Sequence, residues 1–87
     1  MNNNKGKILL VNNKINTLKV LSAILKKNYY DVYTARTAEE ALDKISKLQP
    51  DAVIADYKLP VMTGTELLNA LKEKGCRIPV IMLTAYG

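Results

Sequence analysis

The sequence predicts an α/β protein with a parallel sheet and helices on both faces, and three observations lead to this fold class. Short apolar runs rich in branched residues alternate with segments of helical periodicity, which is typical of βαβ units. The runs Lys7–Val11 and Ala52–Ala55 are apolar almost throughout, as strands buried on both faces are. The 87 residues, 48% of them apolar and 24% charged, are enough for one packed domain spanning 1–87 and too few for two.

The first strand is followed by a helix, a strand and a second helix. Apolar residues recur at helical spacing from about Asn16 to Lys27 and predict an amphipathic helix. Tyr30–Ala35 alternates between polar and apolar residues like a short strand. Thr37 and Glu40 have the spacing of a capping box for the second helix, which we expect to end before Pro50.

The second half of the chain repeats this order. The apolar strand that begins at Ala52 places Asp56 at its carboxyl end. Thr63 and Glu66 form another predicted capping box, and a glycine at position 75 is suited to end the third helix. Pro79–Leu83 is the last apolar strand.

Composition excludes several classes of function. The sequence has no histidine and a single cysteine, Cys76, so zinc sites of the usual ligands, histidine catalysis and an internal disulfide are excluded. The net charge of +5 comes from lysines scattered along the chain without interleaved aromatic residues, so we expect no nucleic-acid partner. No signal peptide or membrane-spanning run is present, which predicts a cytoplasmic protein without a membrane partner.

Polar residues follow three of the predicted strands. They are Asn12 and Asn13 after the first strand, Asp56 after the third and Thr84 after the fourth. Because sites in doubly wound sheets form at the carboxyl ends of the strands, these residues would meet in one pocket if the three strands are neighbours.

The segment that begins at Asp56 resembles the phosphoacceptor loop of bacterial two-component response-regulator receiver domains. Asp56, Pro60 and Gly64 match that pattern, Leu59 replaces a methionine, and Thr63 departs from the usual acid or amide. Other stretches agree in order and position: Lys7–Val11, Glu40-Ala41-Leu42, Pro50 to Ile54 and Pro79 to Ala85. The resemblance covers nearly the whole chain and implies a flavodoxin-like, receiver-type fold.

The resemblance also implies a function, that of a signalling module in a phosphorelay and not an enzyme. A sensor histidine kinase or phosphotransfer protein would phosphorylate Asp56, and the Thr84 hydroxyl would bond a phosphoryl oxygen. In the family Mg²⁺ assists this transfer, held by an acidic pair after the first strand, by the acceptor aspartate and by a backbone carbonyl that falls here on Lys58.

The sequence departs from the family at the acidic pair. Asn12 and Asn13 stand in its place and Lys14 follows, so the pocket loses two formal negative charges. We therefore expect Mg²⁺ to bind weakly or not at all. Lys14 or Lys58 could place an ammonium near Asp56 instead. The alternative is that both lysines are solvated.

The resemblance further implies a helix, a strand and a helix that this sequence lacks, so the fold is expected to be truncated after the fourth strand. The exposed strand edge and apolar surface that this would leave predict a homodimer or a domain-swapped oligomer. The alternative function is a pseudo-receiver that acts as an interaction or dimerisation module without phosphorylation. A nucleotide or small-molecule site on the same scaffold is a weaker hypothesis, because no glycine-rich loop follows the first strand.

Overall fold

The computed structural model describes residues 5–56 and 63–83, and statements about structure refer to them. Strands and helices alternate along these ranges as predicted. They are β1 (Lys7–Val11), α1 (Ile15–Lys27), β2 (Asp31–Ala35), α2 (Ala38–Leu48), β3 (Ala52–Asp56), α3 (Gly64–Glu73) and β4 (Val80–Leu83). None of the helices in this part of the chain is long and apolar enough to cross a bilayer.

The four strands form one parallel sheet in the order β2-β1-β3-β4. The predicted fold class is therefore confirmed, and β1 and β3 are neighbours, as are β3 and β4. Chain order reverses beside β1, because β2 lies on one side of it and β3 on the other. This reversal creates the crevice at the carboxyl edge where ligands of doubly wound sheets bind.

The sheet has a closed face, covered by α2 and α3, and an open face, on which α1 lies. The closed face contains the larger cluster of buried side chains: Leu9, Val11, Ala35, Ala38, Ala41, Ile45, Val53, Ala55, Leu67 and Leu71. The buried cluster of the open face is Ile8, Leu10 and Leu18. Alternation along the central strands accounts for the two clusters, because successive side chains point to opposite faces.

The helix termini agree with the predicted signals, with one exception. Thr63 and Glu66 form the expected capping box, and Gly75 has a φ of 73° just after α3, a left-handed conformation that glycine adopts without steric cost. Thr37 caps α2 by accepting from the Glu40 N–H at 3.1 Å. The Glu40 carboxylate was predicted to return to the N–H of Thr37, and this was wrong: it accepts from the N–H of Arg36 at 3.1 Å.

Asp51 joins the amino ends of β1 and β3. Its N–H donates to the Lys7 carbonyl at 2.8 Å, and its Oδ2 accepts from the Lys7 N–H at 2.7 Å. Gly6 lies beside this carboxylate with a φ of 138°, and a Cβ on Gly6 would lie 2.7 Å from Asp51 Oδ2. The contact fixes the register of β1 against β3, and with it the alignment of their carboxyl ends.

Candidate functional site

The carboxyl edge of the sheet brings together the ends of β1, β3 and β4. Val11 pairs with Ala55, so the residues that follow, Asn12 and Asp56, come side by side at about the 4.8 Å spacing of neighbouring strands. Asp56 is the last residue of β3, is half-buried and pairs in register with Leu83. Thr84 and Lys58, which we also predicted at this site, lie outside the described residues.

Asn12 is a buried polar residue with 7% of its surface exposed. Its backbone N–H donates to the Ala35 carbonyl at 3.0 Å, which continues the pairing of β1 with β2. Its side-chain Oδ1 accepts from the Lys14 N–H at 2.8 Å. The amide oxygen that we predicted as a metal ligand is therefore already used in closing the turn that leads into α1.

Asn13 and Lys14 are exposed in this turn. The backbone carbonyl of Asn13 accepts from Arg36 Nη2 at 3.2 Å. Lys14 is the residue before α1 and has an extended backbone, with no side-chain hydrogen bond capping the helix. Both residues thus stand at the mouth of the crevice, where Asn13 is neutral and Lys14 and Arg36 bring positive charge.

Sequence reasoning missed Arg36 as a residue of this edge. It follows β2 directly, and β2 is the neighbour of β1, so the rule that sites form at carboxyl ends of strands could have found it. Its guanidinium ties the loop after β2 to the loop after β1 through Asn13. The two loops therefore support each other at the crevice.

A small network of hydrogen bonds and an ion pair, made by Glu40 and Lys44 of α2, fixes the backbone around Arg36. Glu40 accepts from the backbone N–H of Arg36, and its other oxygen lies 3.0 Å from Lys44 Nζ. Lys44 also donates to the Thr34 carbonyl of β2. The backbone hydrogen bond from Arg36, followed by the bond to Lys44, lowers the pKa of Glu40 below its usual value. Glu40 is thus ionised at neutral pH and anchors the loop that carries Arg36.

The donor set that the described residues offer at this edge fits Mg²⁺ poorly. Magnesium takes hard oxygen ligands, and carboxylates supply both the oxygen and the opposing charge. Across residues 5–56 and 63–83 no group of three or more histidine, cysteine, aspartate or glutamate side chains could hold a metal. Asn12 offers a neutral oxygen that already accepts a hydrogen bond, and Asp56 offers one carboxylate.

Comparison with known proteins identifies the family. The family model for the response regulator receiver domain matches residues 8–87 of this chain. Sporulation initiation phosphotransferase F of Bacillus subtilis is 37% identical over 81 residues, which are 93% of this chain and 65% of that protein. The alkaline phosphatase synthesis transcriptional regulatory protein PhoP of the same organism is 37% identical over 79 residues, 91% of this chain and 33% of that protein. The chain thus spans about two thirds or less of these relatives.

Solved structures agree in fold. The N-terminal domain of a response regulator receiver protein from Methanoculleus marisnigri superposes with a TM-score of 0.90 at 33% identity, covering 94% of this chain and 68% of that one. The chemotaxis response regulator CheY4 of Vibrio cholerae gives 0.87 at 35% identity, covering 92% and 68%.

Receiver domains are signalling modules that generally bind Mg²⁺, and response regulators interact with histidine kinases and phosphotransfer proteins. The parallel sheet, the aspartate that ends β3 and the family match over residues 8–87 lead to one assignment: the chain belongs to the response regulator receiver domain family of two-component signalling systems.

Proposed function

We propose that this chain is a phosphoacceptor receiver domain in which Asp56 is phosphorylated and the contribution of Mg²⁺ is weakened. The observation that supports this most is the position of Asp56, at the carboxyl end of β3 and directly beside the loop that follows β1. The domain comprises residues 1–87. It acts in the cytoplasm as a signalling module without enzymatic activity of its own, and it binds neither nucleic acid nor membrane.

The proposed reaction transfers a phosphoryl group to a carboxylate. A carboxylate oxygen of Asp56 attacks the phosphorus of a phosphohistidine on a sensor kinase or phosphotransfer protein. The phosphorus–nitrogen bond breaks, a phosphorus–oxygen bond forms, and the imidazole leaves. The Thr84 hydroxyl donates to an oxygen of the new phosphoryl group, a role transferred from the family to a residue outside the described ranges.

The charge around Asp56 explains why metal assistance is weak. Two like charges about 4 Å apart repel by about 4 kcal/mol at a protein surface, so phosphoryl transfer to a carboxylate needs a compensating cation. Asn12 and Asn13 bring no negative charge to hold Mg²⁺, and the carbonyl of Lys58 would complete only a neutral part of the ligand set. We propose that the ammonium of Lys14 or Lys58 supplies part of the missing charge.

Phosphorylation by a small phosphodonor tests this proposal. The chain is incubated with acetyl phosphate, with and without Mg²⁺, and its intact mass is measured. We expect an adduct of one phosphoryl group that hydroxylamine removes and that Asp56→Asn abolishes. Asp43→Asn is the matched control, because Asp43 is an exposed carboxylate on α2, paired with Lys47 and outside the crevice. Failure to form the adduct at any Mg²⁺ concentration would contradict the proposal.

Restoring the acidic pair tests the weakened metal site separately. In the variant Asn12→Asp with Asn13→Asp, residue 12 keeps an oxygen that can accept the Lys14 N–H, so the turn is retained. We expect Mg²⁺ to bind at least about tenfold more tightly than to the parent chain, equal to about 1.4 kcal/mol. If the variant and the parent chain bind Mg²⁺ with equal affinity in a metal titration, the loss of charge at these positions is not the cause of weak Mg²⁺ binding.

The second candidate is a pseudo-receiver that binds its partners without phosphorylation. It is favoured by the use of the Asn12 oxygen in the turn before α1, which makes this loop complete without a metal. The same phosphodonor experiment separates the two candidates. A folded chain that binds a histidine phosphotransfer protein equally well with Asp56→Asn and without any adduct would support the pseudo-receiver.

A further inference from the structure

Arg36, Asn12 and Asp56 form one row across the carboxyl edge of the sheet. Val11 pairs with the last residue of β2 on one side and with the residue before Asp56 on the other, so the three residues follow at equivalent positions. Neighbouring strands lie about 4.8 Å apart, which puts the backbone of Arg36 about 10 Å from that of Asp56. The row therefore has a cation at one end and the proposed phosphoacceptor at the other.

The Arg36 side chain extends along this row in the direction of Asp56. Its Nη2 atom donates to the Asn13 carbonyl at 3.2 Å, so the guanidinium lies against the loop that follows β1. That loop begins at Asn12, the middle residue of the row. The positive charge is therefore one strand closer to Asp56 than the Arg36 backbone is, and the side chain is exposed at the mouth of the crevice.

The backbone that carries this side chain is held in place. The Arg36 N–H donates to Glu40 at 3.1 Å, and Lys44 donates to the carbonyl of Thr34, two residues earlier. Thr37, the next residue, caps α2 by accepting from the Glu40 N–H. The charge of Arg36 is thus positioned before a ligand arrives, and a charge positioned in advance acts on the ligand without a cost of reorganisation.

Glu40 leaves most of the Arg36 charge uncompensated. The ion pair of Glu40 is with Lys44, at 3.0 Å. The pKa of Glu40 is lowered first by the backbone N–H of Arg36 and then by the hydrogen bond and the charge of Lys44, and the guanidinium charge of Arg36 has the smallest effect. Lys44 is therefore the main counter-charge of Glu40, and Arg36 is not.

The loop after β1 adds to the positive charge at the crevice. Asn12 and Asn13 are neutral, and Lys14 is exposed just before α1. The first turn of α1 has no acidic residue, and the amino terminus of a helix itself carries positive partial charge. Apart from the ion pair on α2, the described residues of this edge thus bring two positive charges, on Lys14 and Arg36, and one negative charge, on Asp56.

We infer that Arg36 makes this crevice selective for the anionic phosphodonor over Mg²⁺. The guanidinium attracts the phosphoryl group that approaches Asp56, and it repels a divalent cation at the same place. The neutral pair Asn12 and Asn13 only removes attraction for the metal, whereas Arg36 adds repulsion. Charges about 10 Å apart interact at an ionic strength of about 0.1 M or below, where the Debye length is about 10 Å or more. The selectivity rests on the proposed role of Asp56 for its biological meaning, but the binding of each ion can be measured without phosphoryl transfer.

Two ions of opposite charge test this selectivity. Inorganic phosphate is titrated into the chain, and Mg²⁺ into the variant Asn12→Asp with Asn13→Asp, with binding followed by NMR at low, constant ionic strength. Adding Arg36→Gln to each should weaken phosphate binding and strengthen Mg²⁺ binding, in both cases at least about threefold, because the interaction changes sign with the charge of the ion. Arg36→Lys keeps the positive charge and should change neither affinity by more than about 1.5-fold.

The matched control is Arg77→Gln. Arg77 is the other arginine of the sequence and precedes β4, at the amino edge of the sheet, so its replacement should change neither affinity. Salt at about 1 M shortens the Debye length to about 3 Å and should erase both effects of Arg36→Gln.

A purely structural role for Arg36 gives a different result. Loss of the hydrogen bond to Asn13 would then weaken the binding of both ions, and the loss would persist in high salt. That result, or any pattern other than opposite changes for the two ions, overturns the inference. The absence of an acetyl phosphate adduct, in contrast, would contradict the role proposed for Asp56 and not the selectivity of the crevice.

Discussion

The closed and open faces of this sheet are built from the same strands, yet they bury very different amounts of apolar side chain. Among residues 5–56 and 63–83, the buried cluster of the closed face under α2 and α3 has ten residues, whereas the cluster under α1 on the open face has three. The strands themselves do not cause the difference, because β4 is Val-Ile-Met-Leu and apolar on both sides. What differs in the described ranges is the number of helices on each face, two on the closed face and one on the open face. The number of buried side chains therefore depends on how many helices cover the face.

The largest effect is expected in the centre of the closed face. Leu67 of α3 is fully buried there, and Leu67→Ala should lower the free energy of unfolding by about 3 kcal/mol through lost burial and the cavity left behind. Urea denaturation followed by circular dichroism measures the change. A loss below about 1 kcal/mol would mean that the closed face is not the main core.

Two adjacent residues of β4 compare the faces directly. Met82 packs against the closed-face cluster, and Met82→Ala should cost about 1–2 kcal/mol, since the side chain is only half-buried. Ile81 points to the open face and is 52% exposed, so Ile81→Ala should change stability by less than about 0.5 kcal/mol in dilute, monomeric protein. Equal losses in urea denaturation would contradict the assignment of the two faces.

Helix caps of the closed face should give the next largest effect. Thr63 accepts from the Glu66 N–H at 3.2 Å, and Thr63→Ala leaves that donor without its partner, at a cost of about 1 kcal/mol. Thr63→Ser retains the hydroxyl and is the control. If the alanine and serine variants unfold at the same urea concentration, the cap contributes nothing to stability.

The smallest effect concerns the pH dependence of Glu40. Its pKa is lowered in the folded protein, so it stabilises the fold above the unfolded-state pKa of about 4.3, and this contribution is lost as pH falls through the lowered value. Because the side chain is 43% exposed, we expect only a few tenths of a kcal/mol. The stability difference between the parent and Glu40→Gln should be constant near neutral pH and shrink below about pH 4. A difference that grows on acidification would contradict the cause assigned here.

Local signals in the sequence predicted the elements well because each signal acts within a few residues. The Thr63–Glu66 capping box and the left-handed Gly75 were both expected from spacing alone and are present. The Thr37–Glu40 pair was predicted only in part, because the carboxylate could reach either of two neighbouring N–H groups and bonds that of Arg36. Spacing does not distinguish donors one residue apart.

The candidate site was predicted less completely. The sequence placed Asp56 and Asn12 at strand ends, and the register brings them together. It did not reveal that the Asn12 oxygen accepts from Lys14, although an asparagine in a turn often bonds the N–H two residues on. Nor did it reveal the hydrogen bond from Arg36 to the Asn13 carbonyl, because that contact joins two loops which are distant in the chain.

The order of strands and helices, most helix termini and the family could be read from the sequence, because periodicity, caps and spaced motifs are local properties of the chain. The strand order β2-β1-β3-β4, and the placing of α1 on one face with α2 and α3 on the other, follow from the tertiary structure. Strand order depends on which edges pair across long loops, and the exposure of Ile81 or Leu83 depends on what packs above them. Both are set by packing between segments far apart in sequence. The identity of an apolar residue does not indicate whether another layer covers it.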